Sequence, residues 1–480
     1  MRPITRALAR SVGVGSARSI TSLSSSHTFH RRSELYHRCP YSTPRKTSTT
    51  FAGSRPEDSD PLRQKLKLLI DPGNRGISWD KRLSIKLGST FVTLDHIVLR
   101  DACSCPRCID PSTRQKLFQT QDIPSDIHPQ NVTTNPEDDS VAITWSTDFM
   151  GTAHVSHYSN HLLRRLTNLR TSVRARNDDL SYVLWDKAVM EKDVQFVPYK
   201  DYMEDEEILL FTLQQLVVYG LVFLKDVPKD EESVARIAER VGYIQQSFYG
   251  RTWDVRSMAN SKNIAYTSLN LGLHMDLLYY ASPPALQFLH CLENTVTGGS
   301  SYFVDSFRAT ELVRINSPNA FKSLTTFPVN FHYKNDSQHY HYTRPTVVLQ
   351  ENTYLTRKRI DHVNYSPPFQ APFDVPNDAD ERGAASKWRQ LYHALVIFGD
   401  IIKKEENQFE LRLKEGECVI FQNRRVLHAR REYDAESGVR WMKGAYVGGD
   451  AYRSKLRVLL EKFRKKPDML GTDLEYSYIH

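Results

Sequence analysis

The chain has 480 residues, of which 40% are hydrophobic, 25% charged and 11% aromatic. That is enough to build two or three cores, and it excludes a collagen, a disordered tail and a small disulfide scaffold. Residues 1–50 hold nine of the 64 bases and one of the 56 acids, Glu34, so the formal excess of +8 lies there and the body is neutral; no basic stripe is left to neutralise phosphates, and no nucleic-acid partner is expected.

The opening MRPITRALARSVGVGSARSITSLSSSHTFHRR is rich in Arg and Ser and nearly acid-free. Residues 1–50 therefore read as a mitochondrial transit peptide, with a cytoplasmic protein as the alternative. A Ser/Pro/Arg-rich linker over 51–80 follows. The alternating segments LSIKLG, TFVTLDHIVLRDAC, VAITWS and TAHVSHY predict a small β-rich module over 81–165. A charged stretch around 161–190 predicts helix. Residues 190–465 form a longer mixed domain. Its helix EEILLFTLQQLVVYG stops at Gly220 before a buried strand LVFLKDV, and a second helix reads DEESVARIAERVG. Strands ALQFLHCLEN, SSYFVDSF, ECVIFQNRRVLHAR and VRWMKGAYVG come after. The longest apolar run, Ile208–Leu224, is broken by Gln214, Gln215 and Gly220 and is too short for a bilayer span, so no membrane partner is expected. With helices concentrated early and strands late, a mostly β fold with flanking helices is predicted rather than a doubly wound sheet.

Three of the six cysteines, Cys103, Cys105 and Cys108, fall within six residues, a spacing for metal rather than for disulfides. Soft thiolates so placed suit tetrahedral zinc. His154, His157 and His161 are candidates for a fourth ligand, and spacing does not choose among them. A closed four-ligand site leaves no open position, so this zinc would be structural.

A second constellation begins with His274-Met-Asp276, whose side chains share one face if the segment is extended. Far downstream, His428 ends an apolar strand, and Arg440 follows twelve residues later, after the turn-prone DAESG. A hairpin turning near Ala435 would make His428 and Arg440 cross-strand neighbours. Two His and one carboxylate with open positions are the facial triad of non-haem Fe(II) oxygenases, and the Arg offers a fork for a carboxylate co-substrate. His332, His339 and His341 read as surface residues of a polar stretch, Cys291 and Cys418 as core packing, and His290 as structural.

This set resembles the Fe(II)/2-oxoglutarate oxygenases of the taurine-dioxygenase-like superfamily. Within it, LRDACSCPRC, YGRTW, NIAYTSLNLGLHMD, LQFLHCLENTVTGG, FVDSF and RRVLHARR resemble the family of γ-butyrobetaine and trimethyllysine hydroxylases, over roughly residues 90–460. The resemblance implies a double-stranded β-helix, or jelly roll, preceded by a zinc module and commonly paired as a homodimer. It picks His154 as the fourth zinc ligand. It assigns iron to His274, Asp276 and His428, with O2 as a co-substrate, and the distal carboxylate of 2-oxoglutarate to Arg440, assisted by Ser301. It also places Tyr249, Trp253, Tyr266 and Tyr446 in an aromatic cage. A quaternary ammonium cannot donate a hydrogen bond, so π faces are its natural partners; the alternative is that Tyr249 and Trp253 pack at i, i+4 on one helix face. Asn263 stands where trimethyllysine enzymes tend to have Asp, and a neutral amide can donate to a carboxylate. Ser366 stands where the butyrobetaine enzymes tend to carry a second carboxylate-binding Asn. The expected activity is hydroxylation of a small trimethylammonium carboxylic acid, γ-butyrobetaine to L-carnitine. Trimethyllysine hydroxylation is the alternative, and a non-catalytic zinc-bearing scaffold or ligand-binding module of the same fold the third reading.

Overall fold

The computed structural model describes residues 76–79, 81–146, 148–149, 154–168, 172, 182–256, 267–350, 358–374 and 384–463. The transit-peptide reading, most of the linker, Asn263 and Tyr266 lie outside the described residues.

Strands β1 (Gly76–Trp79), β2 (Arg82–Leu87) and β3 (Thr90–Asp95) form one small sheet, and β4 (Pro129–Thr134), β5 (Val141–Trp145) and β6 (Val155–Tyr158) form another. Alternation fixes which side chains turn inward: Val141, Ile143 and Trp145 of β5 are buried beside Leu83, Ile85 and Leu87 of β2 in a single apolar cluster. The segment TFVTLDHIVLRDAC is not one strand. Asp95 accepts from the Ile97 N–H and caps the helix His96–Asp101, which delivers the chain to the cysteines. The charged stretch yields the helix Asn160–Thr167, capped by Ser159, and the helix Lys187–Asp193.

The larger part is a roll of two sheets. One contains β7 (Phe196–Pro198), β8 (Leu221–Lys225), β9 (Trp253–Arg256), β11 (Leu286–Asn294), β19 (Cys418–Gln422) and β22 (Arg440–Val447), in the spatial order β7-β8-β19-β11-β22-β9. The other contains β10 (Leu271–His274), β13 (Ser301–Asp305), β18 (Phe409–Leu411) and β20 (Val426–Arg430), in the order β10-β20-β13-β18. The expected helix Glu206–Val218 ends at the Tyr219–Gly220 corner and feeds β8, and the second expected helix spans Ser233–Val241. Leu209, Leu213, Ile237 and Val241 from these helices share one core with Phe288, Ile420 and Ala445 of the six-stranded sheet. Between the sheets, Phe303 meets Phe223 at 6.1 Å and Phe421 at 5.7 Å, centroid to centroid. Phe303 also lines the cavity in which the site forms, and Phe421 lies 4.8 Å from the ring of His428.

ECVIFQNRRVLHAR is two strands, β19 and β20, in opposite sheets, joined through Asn423 to Arg425. The polar stretch HYKNDSQHYHY lies in a hairpin of β14 (Pro328–Asn335) and β15 (Gln338–Pro345), where His332 opposes His341. Two short pairs, β12 (Thr297–Gly298) with β21 (Tyr433–Asp434) and β16 (Val347–Leu349) with β17 (Ile360–Val363), complete the described strands. Cys291 and Cys418 are fully buried in strands. No described helix is long and apolar enough to cross a membrane.

Candidate active site and metal centres

β10 and β20 run antiparallel with His274 opposite His428. The two imidazoles face each other, centroids 4.1 Å apart. β10 ends at His274, so Asp276 arrives by the turn that follows and not by alternation along an extended strand; Leu277, at φ +57°, completes the bend. Asp276 Oδ1 lies 3.3 Å from His274 Nε2 and 3.8 Å from His428 Nε2. Two donors set at right angles about 2.1 Å from one ion stand about 3 Å apart, so this triad needs little adjustment to hold one.

Neighbouring groups orient each donor. His274 Nδ1 is 2.8 Å from the Gly272 carbonyl, which can only accept; Nδ1 therefore carries a proton, and Nε2 is the nitrogen turned toward Asp276. Burial and the neighbouring His274 push His428 down to about 3, so its imidazole is neutral at neutral pH. Burial would raise the Asp276 carboxyl, but the hydrogen bond from His274, the two histidines and the Tyr446 hydroxyl outweigh it and keep the group ionised. Two imidazoles and one carboxylate match the donor set of a facial Fe(II) site. Asn423, fully buried in the β19–β20 turn, bonds the Asp276 backbone and the Pro284 carbonyl.

Arg440 reaches the same cavity from the other sheet. The hairpin expected between His428 and Arg440 does not form: β20 lies between β10 and β13, whereas β22 lies between β11 and β9, and Arg440 opposes Asn294. A two-sheet roll sends consecutive strands to opposite walls, so the connection crosses the roll instead of doubling back. Burial and the nearby Arg430 lower Arg440 to about 10, leaving it charged at neutral pH, and its Nε has no partner. Ser301 lines this end too, at the start of β13. Arg430, two residues beyond His428 and so on the same face of β20, also lines it and donates to the Thr267 and Leu269 carbonyls at 2.7 and 2.6 Å.

The opposite wall is aromatic. Trp253 is the first residue of β9, which removes the helical reading, and its ring stacks on Tyr446 at 3.9 Å and 21°. Trp253 pairs with Gly444, where a Cβ would come within 2.4 Å of the indole. The bare glycine lets the indole lie flat across β22. So stacked, Trp253 and Tyr446 make one wall rather than two facing walls; Tyr249 and Tyr279 supply further rings. The cavity encloses about 840 Å³, its mouth included. Among the described residues that line it, Asp276 is the only carboxylate.

Sequence reasoning missed Tyr279, Gln287, Arg430 and Asn423. Arg430 was within reach by strand parity from His428, and Gln287 as the polar residue of an apolar strand. Asn423 carried no local signal. His290, one residue from the cavity-lining Leu289, is buried on the helix side of β11, with neither ring nitrogen partnered.

The cysteine cluster is equally organised. His154 Nε2 lies 3.3 Å from Cys103 Sγ and 3.6 Å from both Cys105 Sγ and Cys108 Sγ. A sulfur and a nitrogen bound to one tetrahedral zinc at about 2.3 and 2.0–2.1 Å stand about 3.5 Å apart, so the four donors fit that ion. His154 Nδ1 faces Asp148 at 3.4 Å, which sends Nε2 toward the sulfurs. Arg100, fully buried, bonds Asp148 at 2.7 Å and Cys108 Sγ at 3.3 Å. His157 and His161 are exposed and stand outside the cluster.

The roll and its triad define a class, the jelly-roll oxygenases. The family model described as taurine catabolism dioxygenase TauD, TfdA family matches residues 190–446, and gamma-butyrobetaine hydroxylase-like, N-terminal, matches 76–164. The first spans more than half of the chain. The chain belongs to the TauD/TfdA family and is a 2-oxoglutarate-dependent dioxygenase, with Fe(II) and 2-oxoglutarate as the cofactor and co-substrate of that fold. It is 39% identical to dioxygenase str8 of Strobilurus tenacellus, over 75% of this chain and 84% of that one. It is 32% identical to gamma-butyrobetaine dioxygenase of Pseudomonas sp. (strain AK-1), over 82% and 97%. It is 27% identical to the mitochondrial trimethyllysine dioxygenase of Homo sapiens, over 79% and 86%.

Proposed function

We propose that the protein hydroxylates γ-butyrobetaine to L-carnitine. The observation that carries this reading is one cavity with a His274–Asp276–His428 triad, a cationic end at Arg440 and Ser301, and an aromatic wall of Trp253, Tyr446 and Tyr249. In this reading the triad holds Fe(II), Arg440 forks onto the distal carboxylate of 2-oxoglutarate with Ser301 beside it, and the aromatic wall receives the trimethylammonium. Asn263 and Tyr266 are assigned to substrate binding by the family resemblance alone, and Cys103, Cys105, Cys108 and His154 hold a structural zinc. Residues 81–165 then form a zinc-stapled module and 190–465 the oxygenase domain, sent to the mitochondrion by residues 1–50.

Iron with O2 supplies the oxidising power. One oxygen atom enters the substrate C–H bond, and the other converts 2-oxoglutarate to succinate and CO2; the two electrons of the C–H bond and the two of the cleaved C–C bond account for the four that O2 accepts. The protein's part is placement. Two imidazoles and one carboxylate leave coordination positions free, Arg440 fixes the co-substrate's far end, and the rings exclude water around the ammonium.

Two observations favour the betaine over trimethyllysine. The described cavity wall offers no carboxylate besides Asp276 to pair an α-ammonium. The relative named gamma-butyrobetaine dioxygenase also matches at higher identity, over nearly its whole length, than the human trimethyllysine enzyme. The test is the ratio of kcat/KM for the two substrates, scored by a product gain of one oxygen and by succinate. A ratio favouring γ-butyrobetaine, moved toward trimethyllysine by Asn263→Asp, is expected. A wild-type preference for trimethyllysine transfers the assignment.

A further inference from the structure

Tyr446 belongs to both halves of the cavity. Its ring lies on the Trp253 indole as part of the aromatic wall. Its hydroxyl donates at 2.7 Å to Asp276 Oδ2, the oxygen turned away from the histidines, while Oδ1 is the one 3.3 and 3.8 Å from their Nε2 atoms. A phenylalanine would build the same wall. What the wall does not account for is the hydroxyl, which is buried and therefore needs a partner, and which spends its proton on one particular carboxylate oxygen. A carboxylate with one oxygen so engaged presents the other alone, and a ligand that binds an ion through one oxygen instead of two leaves a coordination position open.

We propose that Tyr446 is a positioning residue that links the substrate wall to the iron centre: its hydroxyl holds Asp276 to the ion through Oδ1 alone and keeps open a position that a chelating Asp276 would close. The inference rests on the reading of His274, Asp276 and His428 as iron ligands, and it does not depend on which betaine enters. The strand register sets where Tyr446 enters the cavity. β22 is paired along its length with β11, Tyr446 opposing Gln287, and Gly444 fixes how closely Trp253 lies over it.

The decisive variant is Tyr446→Phe, which keeps the ring and removes only the O–H. Metal-free protein is titrated with Mn(II) in the presence of 2-oxoglutarate, without substrate or turnover, and its melting temperature is recorded. Mn(II) binding weakened about 10- to 100-fold, the range for loss of a group that orients a ligand, is expected, with the metal-free melting temperature lowered by no more than about 4 °C. In turnover the KM for γ-butyrobetaine stays within threefold while succinate formed per hydroxylated product rises. Trp253→Phe supplies the opposite pattern: a raised KM and unchanged Mn(II) affinity. Unchanged Mn(II) affinity in Tyr446→Phe overturns the proposal, as does an equal loss in Trp253→Phe, which would place the effect in wall packing. If the wild type turns over no betaine, the functional reading fails while the titration still decides the role of Tyr446.

Discussion

The carboxamide of Asn423 grips the peptide of Asp276 from both sides. Its Oδ1 accepts from the Asp276 N–H at 2.8 Å, and its Nδ2 donates to the Asp276 carbonyl at 2.9 Å. Five residues further along the chain is His428, so one turn fixes the distance between two members of the triad. Asn423→Ala removes the partner of the Asp276 N–H and of the Asp276 and Pro284 carbonyls, costing about 1–3 kcal/mol for each group left unpaired. The expected result is a lower melting temperature together with Mn(II) binding weakened by at least about tenfold. A variant that loses stability but keeps wild-type metal affinity would show that the grip supports the fold and not the triad.

Gly444 tests the aromatic wall. A methyl group there would stand 2.4 Å from the Trp253 indole, so the ring must tilt off Tyr446. For Gly444→Ala, loss of the cation–π contact of about 1–2 kcal/mol predicts a KM for γ-butyrobetaine raised roughly 5- to 30-fold. The KM for 2-oxoglutarate stays as it was, because Arg440 and Ser301 lie at the other end. Steady-state kinetics with each substrate varied in turn would read this, and a rise confined to 2-oxoglutarate would reverse the assignment of the two ends.

How much of this was legible before the structure depends on how local each signal is. The cysteine trio and His274-x-Asp276 are written in adjacent residues, and the helix ending at Gly220 is written in its own apolar run. The pairing of β20 is not local. It depends on which wall of the roll each strand joins, and that is decided by contacts more than a hundred residues apart, such as His274 with His428. The same distance hid Asn423, whose partner lies 147 residues away, and the hydroxyl bond of Tyr446 to Asp276, although its ring was expected in the cage. His154 is an intermediate case. Three histidines were open by spacing, and alternation along β6, which exposes His157 while burying Ser156 and Tyr158, together with the Asp148 contact separates them.

The zinc reading makes a prediction of its own. Because metal binding in such a module is folding free energy, Cys105→Ser should lower the stability of the N-terminal region and release about one equivalent of zinc. His157→Ala and His161→Ala should leave zinc content unchanged. Elemental analysis of the three variants distinguishes them, and wild-type zinc content in Cys105→Ser would remove that residue from the ligand set.

The most direct test of the central claim, that His274, Asp276 and His428 form the reaction centre, is succinate formation by Asp276→Ala in saturating Fe(II), 2-oxoglutarate and γ-butyrobetaine, with circular dichroism to establish that the protein is folded. The side chain is partly exposed to the cavity, so its loss removes little core. Turnover below a tenth of wild type in a folded protein is predicted, since losses of about 10–100-fold follow even from groups behind the ligands. Activity above that level would place the metal elsewhere.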